Sequence, residues 1–136
     1  FTTEEIYSLV SKNDDSIHEY SFVDIPKSWH NIELNKRWEE LYKIKQKANI
    51  AIEEKRFNKE IGSSLEAELK IITNSKNFNL LEGLDLAEYF ITSKAEKILS
   101  DKKDEFKIEV KKTTGSKCQR CWKILDGVCE RCQSIK

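Results

Sequence analysis

Residues 56–71 read R-F-N-K-E-I-G-S-S-L-E-A-E-L-K-I, and the period of the apolar side chains changes inside this stretch. Before it, apolar residues recur at helical spacing. Within it, Leu65, Ala67, Leu69 and Ile71 alternate with Glu66, Glu68 and Lys70. Period two puts one face of a strand in a core and the other in water, whereas spacings of three and four draw a stripe along a helix. Gly62 stands between the two patterns, where a left-handed residue easily closes a helix. A long helix followed by alternating strands predicts an α+β fold.

Upstream, Leu34, Trp38, Leu41, Ala48 and Ile52 form the stripe, Tyr42, Ile44 and Ala51 widen it, and Lys45 interrupts it. Neither Pro nor Gly occurs in residues 31–57, which are therefore predicted to be one helix. Thr2 followed by Glu5 is a capping-box pattern and predicts a short helix through Ile6, Leu9 and Val10, ended by the Asn- and Asp-rich residues 11–16. Residues 17–30 hold Pro26 and apolar side chains without a period; a loop is expected that packs Ile17, Tyr20, Phe22, Val23 and Trp29 onto the next element. Downstream, Asn74 to Asn79 should break the strand, and Leu80 to Leu86 read as a short helix. Residues 88–99, with β-prone Tyr89 to Thr92, should hold a second strand. Asp101 to Glu105 read as a charged turn. Phe106, Ile108 and Val110 alternate in a third strand, and Lys112 to Ser116 read as a linker.

All four cysteines fall in the last nineteen residues: Cys118 and Cys121, a gap of seven, then Cys129 and Cys132. Zinc takes four thiolates at about 2.3 Å in a tetrahedron, and each C-x-x-C turn supplies two of them from one side. Two such turns close the cage and leave no position for water, so the expected role is structural. A dithiol redox pair would come once, on a thioredoxin-like unit, and disulfides need an oxidising compartment. Such a module has little core beyond Trp122, Ile124, Leu125 and Val128, so metal binding must drive its folding. His18 and His30 lie far away in sequence and are expected to be ordinary surface or packing residues. There is no nucleophile–His–carboxylate cluster and no glycine loop of the phosphate-cradling kind.

Charge is balanced overall but not along the chain. Residues 107–136 carry eight positive and three negative side chains. Two of the four arginines, Arg120 and Arg131, each precede the second cysteine of a pair. Guanidinium forks suit phosphates and base edges, and Trp122 offers a face for an unpaired base. Lys117, Arg120, Trp122, Lys123 and Arg131 are the candidate RNA contacts. The opposing reading is that Trp122 covers the metal and the cations only solvate the module. No apolar run approaches the roughly 18 residues of a membrane span. The chain starts at Phe1 and has no methionine, which is expected of a piece of a larger protein.

F-T-T-E-E-I-Y at 1–7, S-I-H-E-Y-S-F at 16–22, R-F-N-K-E-I-G-S-S-L-E-A-E-L at 56–69, A-E-Y-F-I-T-S-K-A-E at 87–96 and K-C-Q-R-C-W at 117–122 resemble the C-terminal region of bacterial-type isoleucyl-tRNA synthetases. The resemblance runs nearly end to end, and the 56–69 string is its most specific part. It implies the end of a helical anticodon-binding domain at 1–60, a small α+β junction at 61–112 and a four-cysteine zinc knuckle or ribbon at 113–136. It implies a parent enzyme that joins isoleucine to its tRNA with ATP through isoleucyl-adenylate. The family's ATP-site signatures, H-I-G-H and K-M-S-K-S, do not occur here. The piece is therefore expected to hold no catalytic residue, to bind no ATP and to be inactive alone. Its implied partners are tRNA(Ile), mainly the anticodon arm, and the rest of the synthetase, in a cytoplasmic monomer without membrane contact. Two rivals stay open: a DNA-repair glycosylase tail, whose zinc finger often ends C-x-x-C-Q as Cys132-Gln133 does, and a zinc ribbon for protein contacts.

Overall fold

The computed structural model describes residues 2–11, 15–102 and 104–134. Two compact units divide the chain, Phe1–Ile32 and Glu33–Lys136.

In the first unit, helix α1 (Thr2–Val10) is followed by 3-10 turns at Ile17–Glu19 and Lys27–Trp29. The capping pattern places the helix start correctly. Residues 12–14, within the expected stop, lie outside the described residues. A polar clasp ties α1 to the first turn: the Tyr7 hydroxyl donates to Asp15 at 3.2 Å, and Ser16 donates to Glu4 at 3.0 Å. Within this unit Tyr20 meets the Tyr7 ring edge-on, with centroids 5.7 Å apart. Phe22, Val23 and Trp29 are exposed, because their irregular spacing gives them no common face to bury.

Helix α2 (Ile32–Phe57) opens the second unit's core. Its buried residues are Leu41, Ile44, Ala48 and Ile52, the middle of the stripe read from the sequence. They pack with Ile61, with Ala67, Leu69 and Ile71 of strand β1 (Ala67–Thr73), and with Leu81, Phe90 and Val110. β1 buries every second residue, as alternation demands. It runs parallel to β2 (Lys94–Leu99) and antiparallel to β3 (Phe106–Lys112), in the order β2-β1-β3. Leu69 lies opposite Ala95 on one side and Val110 on the other. The mixed helix and strand architecture is α+β, as expected. Within the second compact unit the α2 stripe is buried against the sheet.

The chain leaves α2 differently from the expectation. Lys59, at φ 59°, takes the left-handed position expected of Gly62. Gly62 instead donates its N–H to Glu66 at 3.0 Å, and a Cβ there would meet that carboxylate at 3.1 Å. The break at 74–79 is in fact helix α3 (Ser75–Leu80), with Asn74 capping the N–H of Asn77 at 3.1 Å. The expected helix at 80–86 is displaced to α4 (Leu86–Phe90), where Asp85 caps the Glu88 N–H at 3.0 Å. Tyr89 and Phe90 thus end a helix, and the strand waits until Lys94. The cap at Asp85 and the burial of Phe90 outweigh local β propensity.

Beyond β3, Thr113 is buried and its N–H donates to Glu66 O at 2.8 Å, so the expected linker is bound to the sheet. The ribbon β4 (Ser116–Lys117) and β5 (Ile124–Leu125) and the short helix α5 (Glu130–Gln133) complete the unit.

Candidate metal centre

Each cysteine pair is held by its own backbone turn. The Cys118 N–H donates to Lys123 O at 2.9 Å, and the Trp122 N–H returns to Cys118 O at 3.0 Å. Closing this turn puts Trp122 at φ 65°, a left-handed conformation that a bulky residue rarely takes. The second pair sits on the first turn of α5, where the Cys132 and Gln133 N–H groups both donate to Cys129 O at 3.0 Å. Gly115 permits the approach of the two ribbon strands. It lies at φ 127°, and a Cβ there would fall 2.4 Å from Leu125 O.

These turns bring the sulfurs of Cys118, Cys121, Cys129 and Cys132 within 4.8 Å of one another. Cys121 Sγ and Cys129 Sγ are 3.6 Å apart, and all four thiols are free. A tetrahedron with metal–sulfur bonds of about 2.3 Å has edges of about 3.8 Å, whereas a disulfide would need about 2.05 Å. The donor set and spacing fit one zinc ion. His18, in the first unit, has its Nε2 3.7 Å from the Glu4 carboxylate.

The thiols are not equivalent. The backbone N–H of Cys121, then that of Arg120, lowers Cys118 to about 6. Burial, then the neighbouring Cys121 and Cys129 thiols, pushes Cys132 up to about 12. Crowded sulfurs cannot all ionise without a cation among them, which is the electrostatic case for a metal here.

The candidate RNA contacts divide into two groups. Trp122 is exposed, with Lys117 Nζ 5.4 Å from its ring centroid. Lys117 and Arg120 border a cleft of about 300 Å³ beside Cys118, with Gln119, Val128 and Gln133. Lys123 and Arg131 turn elsewhere. Arg131 Nη1 lies 2.8 and 2.7 Å from the two oxygens of Glu88, and Lys123 Nζ lies 3.5 Å from the same carboxylate. The Arg131 hydrogen bond and charge hold the Glu88 carboxyl below its usual range. Ser93 and Lys94 extend this seam: Ser93 Oγ accepts from the Ile124 N–H at 2.6 Å, and Lys94 meets Asp126 at 2.5 Å. Sequence reading missed Glu88, Ser93, Lys94 and Asp126. The available signal, Glu88 three residues after Asp85, looks like ordinary helix capping.

Four thiols on paired turns, seated on a mixed α+β unit, define a four-cysteine ribbon with the donor set for one metal ion. No family model matches the chain. It is 47% identical to an isoleucine–tRNA ligase of Pelagibacter ubique over 96% of its own length. It is 34% identical to that of Gluconobacter oxydans over 99%, and 36% identical to that of Agrobacterium fabrum over 94%. The chain belongs to the isoleucine–tRNA ligase family and matches the C-terminal region of its members. It spans only 14 to 15% of the length of these relatives. Neither a glycosylase tail nor a free-standing protein-contact ribbon draws support from these relatives. Among the described residues no helix is long and apolar enough to cross a membrane.

Proposed function

We propose that this chain is a tRNA-binding end of an isoleucine–tRNA ligase, with zinc in a purely structural role. The parent enzyme attaches isoleucine to tRNA(Ile) with ATP, through isoleucyl-adenylate. This region takes no part in that chemistry and is inactive alone. The parent is cytoplasmic and monomeric, and its partners here are the anticodon arm and the rest of the synthetase. The helical part before residue 60 belongs to the anticodon-binding domain, 61–112 to the junction and 113–136 to the zinc module.

The observation that carries this reading is Trp122. A bulky aromatic held in a left-handed backbone costs of order 1–3 kcal/mol. Here the ring is largely exposed at 60%, beside Lys117. A side chain kept in that position without burial suits a base-stacking platform. Lys117 and Arg120 supply phosphate partners along the adjoining cleft. Zinc, once bound, supplies only the fixed knot that points these groups outward.

Replacing Trp122 by Ala tests this with the zinc-loaded chain and tRNA(Ile). Loss of one stacking contact should weaken binding about tenfold, in line with roughly 1–3 kcal/mol per stacked base. Arg120→Ala should flatten the salt slope by about 0.7–1. Unchanged affinity in both variants would assign these residues to solvation and refute the platform.

A further inference from the structure

We infer that Glu88 is the positioning residue of the metal module: one carboxylate on the α+β unit takes a cation from each cysteine pair and sets the pose of the cage. Lys123 stands two residues beyond Cys121, and Arg131 lies between Cys129 and Cys132. Both cations converge on Glu88, across 35 and 43 residues of sequence. Asp85 already caps the Glu88 N–H. In a capping box the Glu88 side chain would fold back to the N–H of the capping residue. It instead reaches the module.

The surroundings make this contact a seat. Ser93, almost fully buried, donates its hydroxyl to Leu65 O and accepts the Ile124 N–H, so one side chain joins β1's approach to β5. Lys94 adds the ion pair with Asp126. These anchors all come from residues 88–94, the corner between α4 and β2. That corner is fixed by Ile91 in a left-handed conformation, with the Thr92 N–H donating to Ala87 O at 2.9 Å.

The electrostatics run in the same direction. Four thiolates on one divalent ion leave a net charge of about −2. Arg131 stands within the second cysteine pair and Lys123 just after the first, and Glu88 fixes where both cations stand. Groups that hydrogen-bond metal ligands typically change metal affinity by about 10–100-fold when removed; Glu88 acts one step further out, through the two cations, so the low end of that range is expected.

The test uses the zinc-loaded chain and its Glu88→Gln variant, which keeps the shape of the side chain and removes its charge. The variant should still take up one zinc. Zinc transfer to a chelator should become about tenfold faster, and the Ile124 amide should exchange with solvent at least about tenfold faster. The charge-swapped pair Glu88→Arg with Arg131→Glu should restore much of the protection. Asp85→Ala, which removes the α4 cap and leaves the seat, should not reproduce the effect. Unchanged zinc transfer and exchange in Glu88→Gln would overturn the proposal, as would an equal loss in Asp85→Ala. No RNA enters these readouts, so the result stands apart from the stacking role of Trp122.

Discussion

Among the described residues, Lys59, Ile91 and Trp122 adopt backbone conformations that their side chains disfavour, and each marks a junction. Ile91 closes α4, with its own N–H on Glu88 O at 3.2 Å and the Thr92 N–H on Ala87 O. This paired bonding is the Schellman closure, in which glycine is usual. Ile91 is 55% exposed, so its side chain contributes little packing. Ile91→Gly should therefore raise stability by about 1 kcal/mol in urea unfolding. A loss instead would mean that Ile91 packing outweighs the backbone strain. Gly115 presents the reverse case. Gly115→Ala drives a methyl into Leu125 O, and it should cost the module about 2 kcal/mol or more. Accelerated zinc loss with an intact sheet would report this, and a variant as zinc-retentive as the parent chain would count against it.

At the scale of elements, legibility followed the strength of periodicity. α2, β1 and β3 were readable because their apolar residues keep one period through several turns or pairs. The cysteine cage was readable because ligand spacing is itself geometry. α3 was hidden because Asn-rich sequence reads as a breaker, although Asn74 is its cap. β2 lies within the expected 88–99 but starts only at Lys94, because Asp85 and core burial of Phe90 hold the β-prone Tyr89 and Phe90 in α4. The seat at Glu88 had no sequence signal, since its partners lie 35 to 43 residues away. α2 is held by its buried stripe, which makes it sensitive to truncation there. Leu41→Ala, at a fully buried site, should cost about 2–5 kcal/mol. A denaturant midpoint unchanged from the parent chain would refute that placement of α2.

For the whole molecule, charge and metal act together. The last thirty residues carry the chain's largest positive excess, and four thiolates on one zinc ion would remove part of it while fixing the rest in space. Lys123 and Arg131 are spent on Glu88, whereas Lys117 and Arg120 border the cleft and Trp122 is exposed beside Lys117. RNA affinity should then depend on the metal as a scaffold, with no dependence on ATP or isoleucine. The most direct measurement is titration of tRNA(Ile) with the zinc-loaded and the metal-stripped chain at two salt concentrations. The account predicts salt-dependent binding by the loaded chain, weakened at least about tenfold on stripping. Equal affinity with and without zinc, or no binding at low salt, would contradict it.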